Sequence, residues 1–279
     1  MVSRPLPLLI VPLLLWHLAP EVGHAQQPSP PTIVGSPFLQ HMPVNSQRRC
    51  VGVCAVSEAL LEGRPQTGDE PVGEGPAADS RLHDPAVLAR AIYSGLARET
   101  PVTYPRTVRI DGESRPIESP AVLARLSTLV ADMYRTDFQR VSASSDHARQ
   151  LALAQRTFVP DRASLLKMLR RDRDRTALFI GTGERTFPDG RLRPTYHAFL
   201  LTEAKDGRIL VFDPNAPGQP WPCTIRDTPA GVQVAWTSPY RDTGQTTHQQ
   251  YRVAGQRRYF RTLFTNARRL RSGTDTLSP

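Results

Sequence analysis

The sequence predicts an α+β domain in which helices pack on an antiparallel sheet. Two observations support this prediction. Segments with apolar residues at helical spacing fill the first part of the chain, and segments rich in β-branched and aromatic residues follow residue 175. Helices that come first and strands that come later are typical of α+β folds, because a parallel sheet needs the two to alternate along the chain.

Four helices are predicted in the first part of the chain. The first is rich in Ala, Glu and Leu, and Gly63 follows it as a suitable C-cap. Pro85 and Pro120 can each open a helix, because a proline at the first helical position removes an N–H group that would have no partner. The predicted helices span residues 54–62, 85–96, 120–135 and a segment that starts near Asp161.

The predicted strands lie mainly in the second part of the chain. A hairpin is expected around the turn Lys205-Asp206-Gly207, and a short one around Asp111-Gly112 within residues 101–119. The sequence shows no internal repeat. The strand segments in the second part are residues 176–180, 197–202, 208–212, 231–236 and 251–264.

Residues 1–25 have the features of a secretory signal peptide. Arg4 precedes an apolar run, and Gly23 and Ala25 form a small-residue cleavage site. An uncleaved anchor is the alternative, although the run is too short to span a bilayer comfortably. Cleavage after Ala25 leaves about 250 residues, enough for one large domain or two small ones. The mature protein is therefore expected in the periplasm or outside the cell.

The rest of the chain is divided by composition. Residues 26–44 are predicted to be an extended lead-in that begins with a Pro-rich stretch, residues 45–265 a single folded domain, and residues 266–279 a flexible basic tail. The sequence does not fix the oligomeric state.

The chain carries a formal net charge of +9, almost entirely from arginine. Arginines cluster at residues 170–175 and 257–271. A solvated surface is the default interpretation of these clusters, and attraction to an anionic membrane surface or an acidic partner is the alternative. No nucleic-acid-binding motif accompanies the charges. The histidines lack metal-ligand spacing, so the sequence predicts no metal and no cofactor.

The chain has three cysteines, Cys50, Cys54 and Cys223. An odd number in an exported protein leaves at least one thiol free or paired with another chain. A Cys50–Cys223 disulfide, with Cys54 as the free reactive thiol, is the arrangement we favour. The sequence alone does not establish this connectivity.

Cys54, His197 and Asp213 supply a thiol, an imidazole and a carboxylate. Cys54 lies where the first predicted helix begins, and the partial positive charge of a helix N-terminus favours the thiolate. A buried structural cysteine is the alternative. If residues 202 and 208 flank the hairpin turn, His197 pairs with Asp213, with Cβ atoms about 4.5–5.5 Å apart. A satisfied structural histidine is the alternative for His197, and ordinary turn chemistry before Pro214 is the alternative for Asp213.

Three segments, Gly52-Val53-Cys54, His197-Ala198 and Phe212-Asp213-Pro214-Asn215, resemble motifs of papain-like cysteine peptidases. Within that class they are similar to the bacterial virulence peptidases typified by YopT and AvrPphB. The resemblance implies a papain-like fold and a bacterial peptidase with a role in virulence that acts on a protein or peptide. That the peptidase is secreted is expected from the signal peptide. Cys54 would attack a carbonyl, His197 would transfer the proton and Asp213 would orient His197.

The same resemblance implies an oxyanion hole. The backbone N–H of Cys54 and a side-chain amide upstream, from Gln47 or Asn45, would form it. Asn215 could support the turn at Asp213.

Other functions remain open from the sequence. Deamidation, transglutamination and peptidoglycan amide hydrolysis also begin with thiolate attack on an amide. A non-catalytic secreted binding protein, with Cys54 inert or paired with Cys50, is a further alternative. The C-terminal arginines could also bring the protein to anionic lipid.

Overall fold

Helices and antiparallel strands both contribute to the described part of the chain, which confirms the mixed α+β class. The computed structural model describes residues 36–43, 49–66, 80–171, 175–186, 192–239 and 246–273. All of these belong to one unit that covers residues 32–279. The predicted signal peptide at residues 1–25 lies outside the described residues, as does the predicted Pro-rich start of the lead-in. No helix in the described ranges is long and apolar enough to cross a membrane.

The helices begin where the sequence offers caps. The Asp84 carboxylate accepts hydrogen bonds from two first-turn N–H groups of the helix after it, and Asp161 accepts one at 2.7 Å from the Ser164 N–H. Such caps satisfy N–H groups that have no partner within the helix. The helices are α1 (Pro37–Gln40), α2 (Cys50–Glu62), α3 (Pro85–Arg98), α4 (Pro120–Ser142), α5 (Ser145–Gln155), α6 (Arg162–Leu169) and α7 (Gln256–Ser272), with a 3-10 turn at Ser80–His83.

Six strands form a closed antiparallel barrel in the order β10-β5-β6-β7-β8-β9, in which β9 pairs with β10. The two predicted hairpins around Lys205-Asp206-Gly207 and Asp111-Gly112 are confirmed. The barrel strands are β5 (Thr176–Thr186), β6 (Leu192–Glu203), β7 (Ile209–Phe212), β8 (Trp221–Thr228), β9 (Gly231–Pro239) and β10 (Thr246–Gly255). Two small sheets are formed by β1 (Arg64–Pro65) with β2 (Thr103–Tyr104), and by β3 (Thr107–Ile110) with β4 (Glu113–Pro116).

The barrel wall separates two apolar cores. On its outer face, Leu178, Ala198 and Leu200 pack with helices α2, α3 and α4. On its inner face, side chains such as Phe199 and Trp236 fill the barrel. This division follows from the alternation of side chains along each strand. Even-numbered residues in this part of β6, such as Leu200, therefore face the helices, and odd-numbered residues, such as Phe199, face the inside of the barrel.

A buried carboxylate joins α2 to the barrel. Glu58 is 4% exposed, and its Oε1 accepts the backbone N–H of Leu178 at 3.0 Å. Strand β10 ends opposite Phe179, so Leu178, which precedes Phe179 on β5, lies beyond the β10 ladder. Glu58 supplies an acceptor for the buried N–H of Leu178. Without an acceptor, this buried N–H would destabilise the fold.

The C-terminal predictions were wrong. Residues 256–264 were expected to continue a strand, and residues 266–279 to form a flexible basic tail, but α7 occupies residues 256–272. Its residues Tyr259, Phe260 and Leu263 are buried, because their helical spacing lets them pack against the other helices. Residues 274–279 lie outside the described part of the chain. In the predicted extended lead-in, residues 37–40 form the short helix α1 instead.

Candidate functional site

Cys50 is the first residue of α2, and its side chain is half-buried. Arg49 precedes it at the N-cap position, where its Nη1 donates to the Thr128 Oγ1 of α4 at 2.8 Å. The first-turn N–H groups of a helix have no acceptor within it and carry a partial positive charge. A thiol in this position is therefore placed where the thiolate is favoured.

Gly52 lets α2 lie directly against α4. A Cβ atom at this position would be 2.2 Å from the backbone oxygen of Ser127 and 2.7 Å from the Cβ of Ala131. Since only glycine lacks this atom, Gly52 sets the distance between the two helices. It thereby helps to position the N-terminus of α2, and Cys50 with it, beside His197 and Ala198 of β6.

His197 lies on β6 and connects Cys50 to Asp213. Its ring is 5% exposed, and its Nε2 is hydrogen-bonded to the Asp213 Oδ1 at 2.7 Å. The side chain of Cys50 forms a hydrogen bond with the same imidazole. Because Nε2 is taken by Asp213, Nδ1 is the ring nitrogen that remains for Cys50. The three side chains thus form a continuous thiol–imidazole–carboxylate chain.

Asp213 is fully buried and has a hydrogen-bond donor at each carboxylate oxygen. Oδ1 accepts from His197 and from the backbone N–H of Asn215 at 2.8 Å. Oδ2 accepts from the Trp236 Nε1 at 3.1 Å and from the Gln249 Nε2 at 2.9 Å. Burial alone would raise the pKa of Asp213, but these donors and the charge of His197 hold it below its ordinary value.

The pKa values of Cys50 and His197 shift in opposite directions. Burial alone would raise the pKa of the Cys50 thiol, but His197 and backbone hydrogen bonds from Ala198 and Val51 lower it below its ordinary value. Burial alone would lower the pKa of His197, whereas its hydrogen bonds and the charges of Asp213 and Cys50 raise it to about 10. At neutral pH this arrangement favours a thiolate–imidazolium pair.

The imidazole is enclosed by aromatic side chains inside the barrel. Its ring centroid lies 6.1 Å from that of Phe199, 6.4 Å from that of Trp236 and 5.8 Å from that of Tyr251. These rings exclude water from the His197–Asp213 pair. A hydrogen bond between charged groups is stronger when water is excluded.

The predicted hairpin register is wrong by two residues, yet the predicted contact is present. The ladder pairs Leu200 with Phe212, which places Asp213 opposite Phe199 rather than opposite His197. A shift of two residues keeps every side chain on its original face, because the side-chain period of a strand is two. Asp213 therefore reaches His197 diagonally across the same face.

Cys54 does not lie beside His197, which corrects the sequence prediction. The helix begins four residues earlier than expected, so Cys54 is in its second turn and is 0% exposed. It packs in the core between the helices and the barrel. Burial raises the pKa of the Cys54 thiol well above its ordinary value, and the charges of Cys50 and Asp213 add to this effect. The structure brings Cys50, His197 and Asp213 together instead.

The predicted Cys50–Cys223 disulfide is also wrong, because all three cysteines are free. Cys50 packs with the helices outside the barrel, whereas Cys223 on β8 packs with the core inside it. The Cys223 thiol donates to the backbone oxygen of Ile209 at 3.3 Å, and burial raises its pKa to about 12. The barrel wall therefore separates the two thiols.

The predicted oxyanion hole is only partly addressed by the structure. Gln47 and Asn45 lie outside the described residues. The Cys54 N–H is in the second turn of α2, where helical N–H groups bond to the carbonyl four residues earlier, so it is not available as a donor. The Cys50 N–H belongs to the first turn, whose N–H groups have no acceptor within the helix.

Sequence reasoning missed Cys50 as the site cysteine and missed Trp236 and Gln249 as partners of Asp213. Cys50 and Cys54 are one helical turn apart, so only the start of the helix distinguishes them. That start has no marker, because Arg49 makes no side-chain cap to the helix. Trp236 and Gln249 reach Asp213 from β9 and β10, and no short motif joins these residues in sequence.

Comparison with known proteins finds no match. No protein-family model, curated protein or solved structure matches this chain. Within the described ranges, no group of three or more His, Cys, Asp or Glu side chains is placed to hold a metal ion. The functional proposal therefore rests on the geometry of Cys50, His197 and Asp213.

Proposed function

We propose that this protein is a cysteine peptidase in which Cys50 is the nucleophile. His197 is the general acid and base. Asp213 orients the His197 imidazole and stabilises its protonated form. The observation that carries the proposal is the continuous chain from the helix N-terminal thiol through the buried imidazole to the buried carboxylate, with the pKa of Cys50 lowered and that of His197 raised. A nucleophile, a base and a group that orients the base are the parts such catalysis needs.

The acylation step uses the thiolate of Cys50. Its Sγ attacks the carbonyl carbon of an amide, and the negative charge moves to the carbonyl oxygen. The His197 imidazolium gives its proton to the amide nitrogen, the C–N bond breaks and the amine leaves. The substrate is then held on Cys50 as a thioester. The Cys50 N–H can donate to the charged carbonyl oxygen from the first turn of α2.

The deacylation step uses the neutral His197 that acylation produces. His197 takes a proton from water, the resulting hydroxide attacks the thioester carbonyl, and the C–S bond breaks. The products are a carboxylic acid and the Cys50 thiolate, with His197 again an imidazolium. Asp213 stays ionised throughout and stabilises the charged imidazole in each state where it occurs.

A cysteine at a helix N-terminus that faces a His–Asp pair on antiparallel strands supports the broader papain-like resemblance. We therefore include a papain-like relationship in the proposal. The narrower resemblance to YopT and AvrPphB used Gly52-Val53-Cys54, and it loses this support once Cys50 is the nucleophile. Export of the mature protein, as the sequence of residues 1–25 indicates, is part of the same proposal.

A library of random-sequence dodecapeptides tests the proposed reaction. The purified protein without residues 1–25 is incubated with the library, and mass spectrometry identifies new peptide termini. We expect cleavage by the wild type and by Cys54→Ala, and none by Cys50→Ala. The comparison is matched, because both variants remove one thiol from the same helix.

Other products would identify the related thiol reactions. A mass gain of about 1 Da without chain cleavage is the mark of glutamine deamidation, and cross-linked peptides are the mark of transglutamination. Cleavage by Cys50→Ala at the wild-type rate would overturn the assignment of Cys50. A wild-type protein that modifies no peptide and whose Cys50 is unreactive towards iodoacetamide would overturn the proposed peptidase and favour the non-catalytic binding protein.

A further inference from the structure

A groove of about 930 Å³ lies on the outer face of the barrel. Strands β5, β6, β9 and β10 contribute to it, together with the C-terminal end of α5 and the segment that follows. The catalytic proposal does not use this groove. Its position on the barrel, its surface chemistry and the spacing of its side chains indicate what it could bind.

The groove begins at Tyr196, two positions along β6 from Ala198, which contacts Cys50. Tyr196 lines it and is 63% exposed, although it is a large aromatic residue. Tyr196 lies two positions before Ala198 on β6, so both side chains are on the outer face. The backbone of Ala198 is hydrogen-bonded to the Cys50 side chain, and Ala198 packs in the same core as α2. The outer face is thus covered by α2 at Ala198 and opens into the groove at Tyr196.

A row of paired residues forms the floor of the groove. Tyr196 pairs with Thr182, Thr182 with Arg252, and Arg252 with Gln233. Directly paired residues share one face of a sheet, so these four side chains all point outward. Neighbouring strands are about 4.8 Å apart, which places Arg252 roughly 10 Å across the strands from Tyr196. An extended peptide covers that distance in about three residues.

The groove is basic. The Arg252 guanidinium lies 3.4 Å from the centroid of the Phe158 ring, which holds it over the floor. Arg156 is exposed at the C-terminal end of α5. Among the described residues that line the groove, none is acidic, and the others include neutral polar side chains such as Gln250. Held arginines favour carboxylates, and neutral amides can bond to a peptide backbone.

We propose that this groove binds the polypeptide substrate of Cys50 on one side of the scissile bond. Arg156 and Arg252 select acidic side chains, which at Arg252 lie about three residues beyond the residue that contacts Tyr196. Tyr196 provides an apolar surface for the residue nearest to Cys50. This inference rests on the proposed function for the role of Cys50, but the binding it predicts can be measured without turnover.

Fluorescence anisotropy with three labelled dodecapeptides tests the groove. The peptides are Ser-Glu, Ser-Gln and Ser-Lys repeats, and the protein is the Cys50→Ala variant, so that no peptide is consumed. We expect the Ser-Glu peptide to bind most tightly. Replacing both groove arginines, as in Arg156→Gln/Arg252→Gln, is expected to weaken its binding about 4- to 25-fold, at about 2- to 5-fold for each exposed ion pair.

The control must separate the groove from the general attraction of a basic protein. Arg109→Gln/Arg125→Gln removes the same charge from exposed arginines that do not line the groove. We expect this control to retain most of the affinity for the Ser-Glu peptide. Arg252→Lys, which keeps the charge, serves as a second groove variant if Arg252→Gln impairs folding.

The outcomes distinguish the groove from the catalytic proposal. Equal affinity for the Ser-Glu and Ser-Gln peptides, or equal losses in the groove and control variants, would overturn the groove inference even if the wild type cleaves peptides. Selective binding of the Ser-Glu peptide that requires Arg156 and Arg252 would support it. If selective binding occurs but the wild type cleaves nothing, the proposed peptidase fails and the acidic-peptide site remains.

Discussion

The first two turns of α2 carry the same side chain in opposite environments. Cys50 is in the first turn, half-buried and hydrogen-bonded to His197, and its pKa is lowered. Cys54 is one turn further along, 0% exposed in an apolar core, and its pKa is raised well above the ordinary value. The negative charge of Asp213 raises the pKa of Cys54 directly, but it stabilises the imidazolium that lowers the pKa of Cys50.

The difference shows that place, and not residue type, decides whether a thiol is reactive. Burial disfavours the thiolate at both positions. Only Cys50 has a cationic partner and the free N–H groups of a helix terminus to offset this cost. A shift of one helical turn is therefore enough to exchange a candidate nucleophile for a structural core residue.

The largest effect on cleavage is expected from Asp213→Asn. This change removes the charge that shifts the pKa values of the two cysteines in opposite directions. We expect peptide cleavage to slow by up to about 10⁴-fold in kcat, which is the loss found when the Asp of a Ser–His–Asp triad is replaced by Asn. The measurement is the initial rate on a library peptide that the wild type cleaves. Asp206→Asn is the control, because Asp206 is an exposed carboxylate in the β6–β7 turn, and it should leave kcat unchanged.

The pH profile of the same variant gives a second test. The pKa of His197 is raised to about 10, so the imidazolium is present at pH values below about 10 and is lost as the pH rises through that value. Without the Asp213 charge, the pKa of His197 falls, so the alkaline limit of cleavage moves to lower pH. An unchanged alkaline limit would show that Asp213 does not control the charge of His197.

The next largest effect is the difference in alkylation between the two thiols. In the native protein we expect iodoacetamide to label Cys50 at least about 10³-fold faster than Cys54, because a buried thiol reacts only after the structure opens. Since the pKa of Cys50 is lowered, its labelling rate should increase over a lower pH range than the labelling rate of an ordinary thiol does. Peptide mapping by mass spectrometry locates the label. Equal labelling rates in folded protein would remove the distinction between the two turns.

A smaller effect is expected from Gly52→Ala, which lies between the two cysteines. The added Cβ meets the backbone oxygen of Ser127 and cannot be relieved by a side-chain rotation, so we expect a loss of about 1–3 kcal/mol in the free energy of unfolding. Urea unfolding measures it. Gly255→Ala is the matched control, because its Cβ would meet the flexible end of Met168 and should cost less. A neutral Gly52→Ala would contradict the close approach of α2 to α4.

The smallest effect is expected from Cys54→Ala. This change removes one buried sulfur atom from the core, and we expect a loss of about 1 kcal/mol in unfolding free energy. Labelling of Cys50 and peptide cleavage should stay at wild-type levels. If Cys54→Ala abolished cleavage while the protein stayed folded, the second turn would carry the nucleophile instead of the first.

The local elements could be predicted where the sequence carries its own signals. Pro85 and Pro120 mark helix starts because proline suits the first helical position. Residues 256–272 were mistaken in part for a strand, because their apolar and aromatic residues suit either structure. Their helical state depends on packing against α3 and α4, which a short segment of sequence does not reveal.

The sequence by itself determined that His197 and Asp213 would share one face of a hairpin, because an error of two residues leaves the side-chain period of a strand intact. Only the tertiary structure decided which cysteine joins them. Cys50 and Cys54 lie on the same side of one helix, and their environments differ because the barrel places His197 at the first turn and an apolar core at the second. The reactivity of a thiol depends on neighbours that are distant in sequence, so it is decided when the helix packs against the barrel.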